Sequence, residues 1–186
     1  MLFNGVRKAA IATTRVSGRE EMERAMPVSL RGSLQLVSDP KNLDETVEEV
    51  FKMMLGIVCQ RDSGPVDLEP ESVTAVVGFG GLLSGACLFK SGSSTAIKIA
   101  AAMTGMEFAE VDDTVKDGIG EIGNMLAGAW KGKVPNLAAN CGLSIPAVIT
   151  GRDYNLHVQA PEFKLVHAYR FDGGSFEVTI ICDGLQ

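Results

Sequence analysis

Histidine is nearly missing from this chain: of 186 residues only His157 and His167 carry an imidazole, in separate strand-like segments near the end. So few argue against a histidine-driven catalytic triad or a histidine-rich metal site. Cysteine is equally thin. Cys59, Cys87, Cys141 and Cys182 are widely scattered, lie in apolar surroundings and share no metal-site spacing. Buried reduced thiols in a cytoplasmic protein are the expectation. There is no apolar run of membrane-spanning length and no secretory core region. Positive charge is also in deficit. A net charge of −6 and a pI near 5.0 disfavour nucleic acid and anionic membranes as partners. The remaining polar chemistry is that of carboxylates and amides.

What is present suits a folded domain. The chain is 46% hydrophobic and long enough for a substantial core, as one domain or two small halves of one. Residues 1–26 stand apart, with five basic residues against three acidic ones. They read as an N-terminal extension, a flexible tail or short docking helix, ahead of a domain over residues 27–186. The first strong helix opens at "SDPKNLDETVEEVFKMMLGIVCQ". Asp39 is placed to cap it, with Pro40 at its first position. Leu43, Val47, Val50, Phe51, Met54, Leu55 and Val58 recur at helical spacing as a core-facing stripe.

Two β-rich runs in "SVTAVVGFGGLLSGACLF" are split by Gly80-Gly81, a hairpin signal. A short helix is expected from about Ser93 to Met103, stopped by Gly105. Beyond a long helix that follows Asp112, "GLSIPAVITG", "NLHVQA", "FKLVHAYRF" and "SFEVTIICD" read as strands, with turns at Gly151-Arg152-Asp153 and Gly173-Gly174. This order lacks βαβ alternation, so an α+β fold with a helix-covered, mostly antiparallel sheet is expected.

The long helix, Asp113 to Lys131, carries the unusual stretch "DGIGEIGNMLAGAWKGK", with five glycines in residues 117–133. Each interior glycine costs a helix roughly 0.5–1 kcal/mol relative to alanine. At 100° per residue, Val115, Ile119, Ile122, Leu126 and Ala129 fall within about 80° and must face the core. Asp117, Glu121, Asn124 and Gly128 fall on the opposite side, within roughly 60°. Gly120, Gly123 and Ala127 form a nearly bare flank between the two. Two readings of these glycines stay open: they permit tight packing inside the fold, or they clear space around Glu121 and Asn124 for another protein. Trp130 reads as a packing anchor.

In order along the chain, "VTAVVGFGGLLSGACLF", "STAIKIAAAMTGMEF", "IGEIGNMLAG" and "LSIPAVITGRD" resemble the CheC/CheX/FliY family of chemotaxis phosphatases, and most its CheX branch. The likeness runs over about residues 43–182. The family pattern of Asp or Ser, Glu, Asn and a later Pro falls on Asp117, Glu121, Asn124 and Pro146, the last about one position short of the usual spacing. The resemblance implies a CheC/CheX-like fold with pseudo-duplicated halves, two long helices and a shorter one. It implies hydrolysis of the aspartyl phosphate on a CheY-like response regulator, with Asn124 positioning the attacking water and Glu121 bridging to the receiver's lysine. Asp117, Gly120 and Gly128 would then meet the partner. The chain would need no metal or cofactor of its own, because the receiver brings Mg²⁺. A homodimer is implied as well. The alternative is a non-catalytic adaptor or assembly domain using the same helix face.

One echo supports the two-half idea: Glu45, Glu49, Lys52 and Gly56 repeat the 4, 3, 4 spacing of Asp117, Glu121, Asn124 and Gly128. Lysine has donors only, so Lys52 cannot accept from a water as an amide oxygen does. That half reads as a decayed site or a coincidence of an acidic helix face. Phe79-Gly80-Gly81 lacks the lysine and the following helix of a phosphate loop. Arg152-Asp153 reads as a structural pair.

Overall fold

The computed structural model describes residues 35–64, 68–152, 154 and 161–185. The expectations for residues 1–26, the strand "NLHVQA", His157 and Asp153 lie outside the described residues.

Helix α1 spans Pro40–Leu55. The Asp39 carboxylate accepts from the Lys41 amide at 3.0 Å, with proline in the first turn, as the sequence predicts. Leu43, Val47, Val50 and Phe51 are buried. The stripe ends sooner than its periodicity suggests. Gly56 turns left-handed at φ 64° and its N–H closes on Lys52 O, so the helix stops at Leu55. Met54 is 49% exposed, and Val58, beyond the stop, is 67% exposed.

Seven strands follow: β1 (Gln60–Asp62), β2 (Glu71–Gly81), β3 (Leu83–Gly92), β4 (Cys141–Leu143), β5 (Ala147–Arg152), β6 (Phe163–Phe171) and β7 (Gly174–Leu185). They form one antiparallel sheet in the order β1-β6-β7-β3-β2-β4, with β5 also paired to β2. The β2–β3 hairpin turns where the glycines predict. Gly81 has φ 108°, and a β-carbon there would lie 2.5 Å from Asn140 O, so only glycine fits.

"GLSIPAVITG" is not one strand. β4 pairs with Phe79–Gly81 and β5 with Glu71–Val76, and residues 144–146 break the line. Pro146 has no N–H to give a ladder, and the Ser144 side chain takes the Gly78 N–H at 2.8 Å. Gly151 and Arg152, expected in a turn, are the last residues of β5.

Helices α2 (Ser93–Thr104), α3 (Asp113–Gly132) and the short α4 (Pro135–Asn140) complete the fold. Together with α1, α3 covers the sheet face that carries Val73, Ala75, Val77, Cys87, Phe89, Phe176, Val178 and Ile180, all buried. The few aromatic rings concentrate there. Phe51 stacks on Phe176 at 4.5 Å between centroids, and Phe89, Tyr169 and Phe171 surround the pair. Burial of such rings contributes roughly 1.5–3 kcal/mol each. No helix among the described residues is long and apolar enough to cross a membrane.

Candidate active site

Helix α3 begins at Asp112, whose carboxylate accepts from the Val115 amide at 2.9 Å, and runs twenty residues. Val115, Ile119, Ile122 and Leu126 are fully buried, and Trp130 is 1% exposed against Phe79 at 5.2 Å. The core stripe and the packing anchor are therefore where the periodicity puts them.

The glycines answer mostly to the fold. A β-carbon on Gly123 would lie 2.8 Å from Ala75 Cβ, so the helix rests on β2 at that point. One on Gly118 would meet Ala100 and Met103 of α2 at 3.6 Å. Gly120, expected to meet a partner, is buried: its β-carbon would sit 3.4 Å from Val148 Cγ2 and 3.5 Å from Pro146 Cβ. Its bareness admits the β4–β5 segment, a correction to its expected role. Gly128 is half-buried, with only Leu143 Cδ1 at 3.9 Å from the added carbon.

The opposite face is different. Asp117 and Glu121 are exposed and Asn124 is half-buried. Among the described residues none of the three side chains has a hydrogen bond or ion pair within the chain. A carboxylate and a carboxamide thus stand unpaired side by side, with Cβ atoms about 5–6 Å apart at i, i+3 spacing, on a rod whose other side is fixed in the core.

One flank of this face is bounded by the chain after α4. Lys131 Nζ donates to Cys141 O at 2.7 Å, Leu143 comes up beside Gly128, and Pro146 beside Gly120. The segment therefore runs antiparallel along α3 and passes the level of Asn124 at residues 144–145. Lengths agree: from residue 131 to 120 the helix descends about 16 Å, and residues 141 to 146 in extended form reach about 16 Å.

The echo in α1 does not form a second such face. Lys133 Nζ pairs with Glu49 at 3.0 Å and Glu45 at 3.6 Å, which ties α1 to the end of α3. Gly56 ends its helix whereas Gly128 lies inside one. Arg152 pairs with Glu71 at 3.5 Å on the surface.

A polar cluster that sequence reasoning missed joins α1, β1 and β6. The Asp44 carboxylate receives Tyr169 OH and His167 Nδ1, each at 2.8 Å, and Arg61 at 2.9 Å. Arg61 Nη2 stands 3.1 Å from His167 Nε2. Because a guanidinium only donates, Nε2 is the acceptor in that contact, and Nδ1 faces the Asp44 carboxylate. Burial, and then the Asp44 carboxylate, push the Tyr169 hydroxyl far above its ordinary range. A concavity of about 570 Å³ lined by Arg61, His167 and Glu177 opens beside the cluster. The cluster joins Asp44 and Arg61 to His167 and Tyr169, more than a hundred residues further on, so no local spacing could have announced it. Among the described residues no group of three or more His, Cys, Asp or Glu side chains could hold a metal ion.

Fold and site together define a class of protein: an antiparallel sheet backed by helices, with an unpaired Glu–Asn pair on the outer side of a long helix. The family description "Chemotaxis phosphatase CheX" matches residues 73–167, which include the whole of that face. The chain belongs to the CheX family. It is 35% identical over 88 residues to the CheY-P phosphatase CheX of Thermotoga maritima, a match covering 47% of this chain and 57% of that protein. It thus spans little more than half the length of that curated relative. A CheX chemotaxis protein from Desulfovibrio desulfuricans has the same fold, with TM-score 0.64 and 23% identity, covering 76% of this chain and 97% of that one. So does the CheX of a CheX–CheY–BeF3–Mg²⁺ complex from Borrelia burgdorferi, with TM-score 0.63, 21% identity and coverage of 77% and 97%.

Proposed function

We propose that this chain accelerates hydrolysis of the aspartyl phosphate on a CheY-like response regulator. The observation that carries the reading is the pair Glu121 and Asn124, unpaired on the outer face of a helix whose inner face is immobilised. The Thermotoga relative, named a CheY-P phosphatase, and the CheX–CheY complex support the choice of substrate.

An acyl phosphate is already activated, and the receiver supplies its own cation and lysine around the phosphoryl group. What is left is to hold a water in line with the leaving oxygen, a positioning task. Asn124 suits it, because its carbonyl accepts from the water and its NH₂ donates nearby. A second carboxylate at that point would repel the phosphoryl oxygens. Glu121, one turn away, takes the receiver's lysine, which fixes the angle at which the amide enters. Asp117 and Gly128 line the same approach. Pairing of two copies belongs to the same proposal and is read from the sedimentation mass.

The test is the decay of a phosphorylated receiver alone, with the protein, and with Asn124→Ala. Acceleration that falls on the order of 10²-fold in the variant, while binding survives, supports the proposal. Equal decay in all three samples would leave an adaptor.

A further inference from the structure

The segment flanking the site carries a residue that the water-positioning role does not use. Ile145 is 88% exposed, the most exposed of the large apolar side chains in the described residues. Its neighbours are held firmly. Ser144 N donates to Gly78 O at 2.9 Å, Ser144 Oγ accepts from Gly78 N at 2.8 Å, and Ser144 Oγ donates to Ile145 O at 2.9 Å. On the other side Pro146, fixed in φ by its ring, lies against Gly120. A β-branched side chain with few rotamers is thus mounted on a pinned three-residue break, at the level of Asn124 along α3.

Single exposed isoleucines are ordinary on a surface. This one differs in being immobilised at both flanks and in preceding Pro146, which packs on Gly120 of the helix that carries the two unpaired polar side chains. A pinned apolar side chain loses little entropy when covered, which is what makes a contact effective in binding. The polar pair and the apolar residue together have the composition of a small interface, with an anchor beside a polar rim.

We propose that Ile145 is the docking residue for the receiver: it seats in an apolar depression beside the phosphorylated aspartate while Glu121 and Asn124 enter the phosphoryl site. This rests on the function proposed above, and it assigns partner affinity and partner choice to Ile145 and chemistry to Asn124. The occupant is the receiver because the segment that mounts Ile145 lies, through Pro146, against Gly120, which is next to Glu121 and one helical turn before Asn124.

The experiment measures phosphate release against the concentration of phosphorylated CheY-like receivers from the same genome, with wild type, Ile145→Ser, Ile145→Val and Asn124→Ala. It adds direct binding of each variant to the same receivers loaded with beryllofluoride. Ile145→Ser should raise KM roughly 10- to 100-fold, the worth of burying one aliphatic side chain, and leave kcat within about twofold. Ile145→Val should restore most of the affinity, and Asn124→Ala should lose kcat with KM kept. Thermal melting of Ile145→Ser should match wild type, because the side chain touches little. An unchanged KM and unchanged binding in Ile145→Ser overturn the proposal. If wild type releases no phosphate yet binds the receiver, and Ile145→Ser weakens that binding 10-fold or more, the docking role stands and only the phosphatase reading falls. No binding by wild type overturns both.

Discussion

Gly123 and Gly128 lie five residues apart on one helix and answer to different neighbours. At Gly123 an added methyl would stand 2.8 Å from Ala75 Cβ, a rigid neighbour on β2. Gly123→Ala should therefore cost about 1–3 kcal/mol in urea unfolding despite alanine's better helix propensity. At Gly128 the same methyl finds only Leu143 Cδ1 at 3.9 Å. Gly128→Ala should raise stability by about 0.5–1 kcal/mol. If the bare surface there admits the receiver, its turnover should drop, so stability and activity move in opposite directions. The helical period alone was enough to read the outward display of Glu121 and Asn124. It was not enough for Gly120, because whether a bare flank meets solvent or a strand depends on where residues 143–148 return, and no local pattern records that.

At the scale of single elements, α2 shows a helix start solved from outside. Its N-cap is Gly92, which has no side chain to offer. Glu69, from the loop before β2, accepts from the Ser94 amide at 3.1 Å and from the Ser94 hydroxyl. These bonds hold the Glu69 carboxyl below its ordinary value of 4.5. With the folded value depressed, the contribution to stability is present above about pH 4.5 and is lost as pH falls through the folded value. Glu69→Gln should cost about 0.5–1 kcal/mol near neutral pH, the usual worth of a cap. The gap from wild type should close on acid titration followed by circular dichroism. The element boundaries were legible where a capping residue marks them, as at Asp39, Asp112 and Gly105. β1 and α4 escaped notice because three- and six-residue elements carry too little periodicity. The break between β4 and β5 escaped because the apolar residues around Ser144 and Pro146 read as one strand, although the proline argued against it.

Across the whole molecule, the antiparallel α+β layout and the core face of the sheet could be read from alternation and helix stripes. The Asp44–Arg61–His167–Tyr169 cluster could not, since it exists only once α1, β1 and β6 have met. It gives the fold an alkaline limit. Because the Tyr169 hydroxyl ionises at higher pH when folded than unfolded, its contribution is intact below about pH 10 and lost as pH rises beyond that. Equilibrium unfolding from pH 8 to 11 should show a steep alkaline decline in wild type. Tyr169→Phe should be less stable at neutral pH by about 1–2 kcal/mol and show a shallower decline.

The interrupted edge between Leu143 and Ala147 has a consequence for how such a module diversifies. One residue inserted or deleted there would slide position 145 along α3 by roughly 3.3 Å, while the buried stripe and the carboxamide stay put. With the docking role proposed for Ile145, a lineage would retune its choice of receiver by changing the length of three residues, without reworking its interior.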